Sequence, residues 1–317
     1  MVMAGATPAS AQNADANALA AVESVASDVV AGAARDSSFD DGSVAHAFEE
    51  SSVSIPLDLS ETVEVGAGDT TIHVTLPEGD GDASGKVVTP GIVEFDNADG
   101  STILAVARED ASFQVLTVIA DAGAPQRYDY GLSLPADGRL EQREDGAVFL
   151  LDAEDNFLGV VAPAWAKDAN GAPVPTHYEI AGSTLTQVVE HHEGVAYPVT
   201  ADPWLGIQLF TSFRRDTYNG DYRYSAWVTA AGAVVLSGGG GVGGYFAGRH
   251  VFNNNGWSEW KAKWPAITNK ATLRQQYECH VAAGVYGLPF TKDYNLERSR
   301  TNRSNWGSGV INHRCNW

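Results

Sequence analysis

Two histidines near the carboxyl end of the chain have neighbours of the types that serve in acid-base catalysis. His280 directly follows Cys279, and His313 precedes Cys315 by two residues, so a disulfide between the cysteines would bring both imidazoles into one neighbourhood. A His/Glu pair of this kind would act on a phosphodiester or a glycan. The carboxylates nearest in sequence, which would complete such a pair, are Glu278 and Glu297.

A structural interpretation of the same histidines is favoured. His280 falls on the apolar face that Leu273 and Tyr277 would form in a helix over residues 273–285, which makes it a satisfied core residue. His313 would then be exposed. No spacing of the His-Glu-x-x-His type supports the catalytic alternative.

Aromatic and basic residues are concentrated in the last third of the chain, where seven of the eight tryptophans lie. A surface built from them would stack on sugars or bind anionic polymers such as teichoic acid, lipid headgroups or nucleic acid. In the alternative interpretation the tryptophans are the core of a small domain and the arginines are its solvated face. The candidate binding residues are Trp257, Trp260, Trp264, Arg298, Arg300, Arg303, Trp306 and Arg314.

The charge is distributed very unevenly along the chain. Residues 203–317 hold 13 basic and six acidic residues, a net charge of +7, whereas the first 202 residues hold seven basic and 34 acidic residues, a net charge of −27. This asymmetry predicts separate domains. An acidic part that docks on or shields the basic part is one hypothesis, and an acidic surface that keeps an exported domain soluble is the favoured alternative.

The first residues indicate export. Residues 6–12 are typical of the end of a signal peptide, with Ala9 and Ala11 as the small residues before a cleavage site, so we interpret residues 1–11 as a signal-peptide remnant. The protein is therefore expected to be secreted and extracellular, with cell-wall association as a further option. In an oxidising compartment Cys279 and Cys315 would pair, and closing this loop stabilises a small domain by about 4 kcal/mol.

Periodicity predicts a mainly β chain with some α. Residues 12–50 are expected to form a short helix and an acidic linker of low order. Alternating runs over 71–76, 113–118 and 128–132, separated by Asp-Gly and Asn-Gly pairs, predict short antiparallel strands within an acidic β-rich domain over 51–203. The expected architecture is an antiparallel β-sandwich-like N-terminal domain followed by a small α+β, disulfide-closed C-terminal domain over 204–317.

Residues 128–204 resemble a known leader module. The segment that carries the resemblance is Tyr197–Pro203, with the pattern Tyr-Pro-Val-x-x-Asp-Pro, preceded by Tyr130–Pro135, Asp145–Val148 and Pro163–Gly171. The module is the β-rich leader of secreted actinobacterial proteins, which precedes a variable C-terminal domain. The resemblance implies this architecture and carries no activity.

Residues 255–317 are similar to a domain of unknown function found in secreted actinobacterial proteins. The shared blocks are Gln276-x-x-Cys279-His280, Tyr294-Asn295-Leu296-Glu297 and Cys315-Asn316. The chain departs from the family at Arg298-Ser299, where the family has Arg-Pro. The resemblance supports the disulfide and implies no established chemistry.

Neither a cofactor nor a metal is predicted. The run Ser237–Gly244 has glycines at dinucleotide-binding spacing, but no βαβ pattern surrounds Gly239, Gly241 and Gly244, so no nucleotide cofactor is expected. The adjacent His191 and His192 would point to opposite faces of a strand, which disfavours joint metal ligation.

Three functions are consistent with these features. A secreted module that binds or antagonises a cell envelope through residues 204–317 ranks first, because it accounts for the charge asymmetry, the aromatic residues and the disulfide. Its expected partners are a cell-wall glycan, an anionic envelope polymer or a membrane surface. A secreted hydrolase using the histidines ranks second, and a structural surface protein ranks third.

Overall fold

The computed structural model describes residues 11–79, 81, 84–135, 137–237, 242–288 and 291–317, and the side chains of all of these except 11–17 and 242–246. The expected signal-peptide remnant lies outside the described residues, apart from Ala11. Most of the glycine run that we considered for nucleotide binding also lies outside them.

The N-terminal unit contains two large antiparallel sheets. The strands of the first sheet, in chain order, are β1 (Ser38–Asp40), β2 (Ser43–Phe48), β3 (Ser51–Pro56), β4 (Val63–Ala67), β5 (Thr70–Thr75), β10 (Arg127–Ser133), β15 (Thr176–Ala181) and β16 (Thr184–Val189). Their order in the sheet is β1-β2-β3-β4-β5-β10-β16-β15. Strands β1 and β2 form where we expected an acidic linker of low order. That expectation is wrong because alternate side chains of β2, such as Val44 and His46, are buried on the sheet.

The strands of the second sheet are β6 (Lys86–Thr89), β7 (Ile92–Asp96), β8 (Ser101–Ala107), β9 (Phe113–Ile119), β11 (Arg139–Gln142), β12 (Val148–Leu151), β13 (Phe157–Val161), β14 (Ala166–Lys167), β17 (Val199–Ala201) and β18 (Trp204–Gly206). Their order in the sheet is β11-β12-β13-β18-β9-β8-β7-β6, and the two short strands β14 and β17 pair with each other beside β9.

The two sheets pack face to face around one apolar core. Inward residues of the first sheet, such as Ile55 and Ile72, belong to the same buried cluster as Phe95 and Val115 of the second sheet. The expected antiparallel sandwich is thus confirmed. The Asp-Gly and Asn-Gly pairs act as turns as predicted, since Gly100, Gly146 and Gly171 all have positive φ.

The outer face of the second sheet is also covered, by two different parts of the chain. Helices α1 (Ala11–Val25) and α2 (Ser27–Ala31) cover it over strands β7 to β9, where Val22 and Val29 pack on Leu104 and Leu116. The C-terminal unit covers it over β12 and β13. These strands are therefore buried on both faces, which explains the unbroken apolar run of β12.

The C-terminal unit combines a three-stranded antiparallel sheet with short helices. The sheet has the order β19-β20-β21, with β19 (Phe210–Tyr218), β20 (Asp221–Val228) and β21 (Asp293–Glu297). The helices are α3 (Ala230–Ser237), α4 (Val242–Val251), a π-helical turn (Phe252–Gly256), α5 (Trp257–Lys263), a 3₁₀ turn (Pro265–Asn269), α6 (Ala271–Val285) and α7 (Val310–His313). The expected disulfide between Cys279 and Cys315 is present and joins α6 to the C-terminal segment.

The two units share an apolar cluster. Phe149 and Phe157 of the second sheet are buried together with Phe210, Trp260 and other residues of the C-terminal unit. Trp204–Gly206, which the sequence places in the C-terminal domain, pairs with β9 and β13 as strand β18 and completes the second sheet. In the structure the chain therefore leaves the second sheet after Gly206.

Candidate functional site

Helix α6 carries His280 and Gln276, and both side chains contact strand β21. The ring of His280 stacks on the ring of Tyr294, with centroids 4.7 Å apart and an angle of 23° between the planes. Both residues are buried. Burial lowers the pKa of His280 to about 4, and the nearby Asn316 side chain offsets only part of that effect. His280 is therefore a neutral ring at physiological pH.

Gln276, one turn earlier on α6, closes the open edge of strand β21. Its amide nitrogen donates to the Glu297 carbonyl oxygen at 3.0 Å, and its amide oxygen accepts from the Glu297 backbone N–H at 2.8 Å. With its nitrogen facing β21, the Asn316 amide also donates to the carbonyl oxygen of Asn295 at 2.8 Å. A helix side chain and the chain end thus satisfy backbone groups that an edge strand leaves unpaired.

The carboxylates of the expected His/Glu pair are engaged elsewhere. Glu278 accepts from the Arg274 guanidinium at 2.8 Å, and Glu297 forms an ion pair with Arg300. Among the described residues, no carboxylate is hydrogen-bonded to either ring nitrogen of His280. The disulfide does bring the segments of His280 and His313 together, yet the geometry of an acid-base pair is not formed there.

His313 stabilises the C-terminal turn. Its Nε2 lies 2.9 Å from the Trp306 carbonyl oxygen, and its Nδ1 accepts from the Cys315 backbone N–H at 3.0 Å. The ring also packs edge-on against Trp317. Partly buried and bonded at both nitrogens, His313 holds the segment that the disulfide attaches to α6.

The tryptophans that we expected at a binding surface divide between core and surface. Trp257 and Trp260 are buried, and Trp260 packs against Phe210 and Tyr277 at the centre of the shared cluster. Trp264 and Trp306 are only partly buried. Apolar packing of large rings on several sides explains why the first two cannot contact a polymer.

The arginines of the expected surface are mostly engaged within the C-terminal unit. Arg298 pairs with Asp221 at 3.0 Å, Arg300 pairs with Glu297, and Arg303 donates to the Ser308 carbonyl oxygen at 3.0 Å. Arg314 is exposed, in the left-handed backbone region with φ of 49°. The charges of Arg298 and Arg300 are thus compensated by carboxylates within the C-terminal unit.

The β19–β20 hairpin presents aromatic and basic residues on both of its faces, which together we call the hairpin surface: Arg215 and Tyr222 lie on one face, and Arg214, Tyr218 and Trp227 lie on the other. Tyr218, Tyr222 and Trp227 are 38%, 47% and 45% exposed, respectively. Both arginines are exposed, and the Arg215 guanidinium lies 4.8 Å above the ring of Tyr222. The hairpin turns at Asn219-Gly220, where both residues have positive φ.

The hairpin surface is anchored to the core by a row of rings. Tyr222 contacts Tyr224 with centroids 6.3 Å apart, Tyr224 contacts Trp264 at 5.1 Å, and Trp264 contacts the buried Trp260 at 5.7 Å. The base of the hairpin is held by Glu259, which accepts from the backbone N–H groups of Leu209 and Phe210, both at 2.9 Å. Burial raises the pKa of Glu259 to about 8.

The residues of the hairpin surface are not among the site residues that the sequence predicts. A strand pattern in the sequence does not by itself show which rings of the hairpin are exposed. The alternation of Arg-Arg and Tyr around Asn219-Gly220 was the available signal.

No family model and no curated protein matches the chain. Among the described residues, no group of three or more His, Cys, Asp or Glu side chains is arranged to hold a metal ion. Within the same residues, no helix is both long and apolar enough to cross a bilayer.

Proposed function

We propose that this protein is exported and binds an anionic polymer of the cell envelope through the hairpin surface of its C-terminal unit. The polymer class is a phosphodiester-linked chain of sugars or polyols, as in teichoic acids. The observation that carries the proposal is the exposure of two arginines and three aromatic rings on the two faces of one hairpin, with an arginine beside an aromatic ring on each face.

The chemistry of the hairpin surface suits a phosphate-bearing glycan. A guanidinium that stacks on a ring keeps its N–H edges available for phosphate oxygens, and Arg215 on Tyr222 has this geometry. Exposed tyrosine and tryptophan rings offer flat faces to the apolar side of sugars. The net charge of +7 on residues 203–317 favours approach of a polyanion, while the acidic N-terminal unit disfavours its spread over the rest of the molecule.

The hydrolase alternative receives no comparable support. Its proposed base, His280, is buried and stacked on Tyr294, and the nearby carboxylates are bound to arginines. A structural role for the Gln-x-x-Cys-His segment accounts for its contacts.

The test is binding of the purified protein to bacterial wall sacculi that carry teichoic acid, compared with the same sacculi after acid extraction of the polymer. We expect retention on the intact sacculi that falls steeply between low and high salt, because counterions compete with arginine for phosphate. Replacement of both exposed arginines, Arg214→Gln with Arg215→Gln, should flatten the salt slope by about one unit for each lost phosphate contact. Trp227→Ala should weaken retention at all salt concentrations.

A charge-matched control comes from the N-terminal unit. Arg35→Gln with Arg127→Gln removes two exposed cations outside the hairpin surface, and it should leave retention unchanged. Equal retention on intact and extracted sacculi would overturn the choice of polymer. Unchanged salt dependence in the hairpin variant would overturn the choice of surface.

A further inference from the structure

A cleft opens on the outer face of the second sheet, in the gap between its two covers. Helices α1 and α2 form one wall through Ala26 and Val29, and helix α3 of the C-terminal unit forms the opposite wall through Ala230 and Val234. The cleft has a volume of about 370 Å³. This size and its position where two units meet are both typical of sites for small organic ligands.

The floor of the cleft holds a buried carboxyl group. Asp202 is 2% exposed, accepts from the Trp165 backbone N–H at 3.3 Å, and accepts from the Gln114 amide at 3.2 Å. Burial raises the pKa of Asp202 to about 8. At neutral pH the floor is therefore mostly uncharged, and Asp202 does not repel an anion.

Two cations stand at the same cleft. Arg108 donates to the Val29 carbonyl oxygen and to Gln114, each at 3.2 Å, and Lys167 donates to the Val25 carbonyl oxygen at 2.9 Å. Neither cation takes part in any of the ion pairs found within the described parts of the chain. Besides Asp202, the acidic side chain that lines the cleft is the exposed Asp28.

Apolar surface lies beside the cations. The Trp165 ring has the Lys167 ammonium 5.3 Å above it, and the nearly buried Trp204 lines the floor with its indole N–H bonded to Ser112. An amphipathic molecule would thus find a flat apolar wall and a net positive charge, from two cations against the exposed Asp28, within one cleft.

We propose that this cleft binds a small organic anion, with a carboxylate or phosphate directed at Arg108 and Lys167 and a flat apolar body against Trp165. The site is separate from the hairpin surface and does not depend on the function proposed for it. The cleft is lined by the α1–α2 region, the second sheet and α3. A bound ligand would therefore contact all three, and it would stabilise the packing of the N-terminal helices and of the C-terminal unit on the sheet.

Isothermal titration calorimetry of the full-length protein with 2-naphthoate and with 2-naphthyl phosphate tests the proposal. We expect saturable binding at one site with a dissociation constant on the order of 1 mM or tighter. The neutral analogue 2-naphthamide should bind at least tenfold more weakly. Lys167→Met and Trp165→Leu should each weaken naphthoate about tenfold, whereas Arg127→Met on the first sheet should not.

A second measurement uses the unsubstituted protein and is therefore independent of folding defects in the variants. In ¹H–¹⁵N spectra, the indole signals of Trp165 and Trp204 should shift on addition of naphthoate, while those of Trp257 and Trp260 stay in place. Absence of saturable binding, equal affinity for the amide, or shifts confined to the C-terminal tryptophans would each overturn the proposal.

Discussion

At the scale of single residues, His280 shows how burial decides the role of a reactive side chain. The ring lies between α6 and β21, stacked on Tyr294 and next to the disulfide of Cys279. A charged imidazolium would lose its hydration there, so the neutral form is preferred. His280 thus contributes packing in the neutral state.

Acidification should destabilise the protein through His280. Its pKa is lowered on folding from 6.5 to about 4, so its stabilising contribution is complete above pH 6.5 and is lost as the pH falls towards 4. Over that window the loss amounts to roughly 3 kcal/mol. His280→Phe should remove this component. Urea unfolding of both proteins at pH 7, 5.5 and 4.5 measures it.

The comparison between wild type and variant isolates His280 from other groups. Asp202 and Glu259 have raised pKa values, so their effect has the opposite sign and is common to both proteins. His250→Gln, which replaces an exposed histidine, serves as the control for loss of a histidine. A stability difference between wild type and His280→Phe that is the same at all three pH values would contradict the prediction.

At the scale of elements, helix α6 completes the C-terminal sheet. β21 is an edge strand, and Gln276 pairs with both backbone groups of Glu297 in the manner of a further strand. The segment around Asn316, attached by the disulfide, covers the same edge. The Gln-x-x-Cys-His, Asn-Leu-Glu and Cys-Asn blocks thus meet at one junction, which gives them a shared structural role.

Truncation of Gln276 should be costly. Gln276→Ala leaves the buried N–H and C=O of Glu297 without their partner, at about 1–3 kcal/mol for each group. The neighbouring Gln275→Ala removes one bond, to the Arg303 N–H, at a partly exposed position and should cost less. Chemical unfolding measures both values, and equal losses for the two variants would disprove the edge-closing role of Gln276.

At the scale of the whole molecule, the second sheet is the common support. Its inner face belongs to the sandwich core, while its outer face holds α1–α2 and the C-terminal unit. Removal of the N-terminal unit would therefore expose an apolar surface of the C-terminal unit. The contact between acidic and basic parts is apolar at its centre, with Lys263–Glu50 as an ion pair at 3.6 Å near its edge.

The two units should unfold together. In the wild-type protein, denaturation followed by tryptophan fluorescence, which reports mainly the C-terminal unit, should coincide with denaturation followed by far-UV circular dichroism. Phe157→Ala removes a ring from the shared cluster at a cost of about 3–5 kcal/mol. In this variant the transition followed by fluorescence should occur at a lower denaturant concentration than the transition followed by circular dichroism.

The matched control is Phe95→Ala, which removes the same ring from the sandwich core. Both probes should shift together in that variant. Two separate transitions in the wild-type protein would show that the units are independent.

Much of the secondary structure was predictable because its signals are local. Runs alternating with period two became β5, β9 and β10, the apolar spacing of residues 273–285 became most of α6, and two cysteines formed the expected disulfide. The candidate site was less predictable. Trp260 and Trp227 have the same side chain, yet one is buried and the other is 45% exposed.

The amino-acid sequence by itself determined the class of fold, the disulfide and the division of charge, since these follow from composition, periodicity and residue pairing along the chain. Only the tertiary structure decided which face of each element is covered. It placed β1 and β2 in a sheet, buried β12 on both faces, and left a cleft between α2 and α3. Burial depends on contacts between segments far apart in sequence, and no local pattern contains that information.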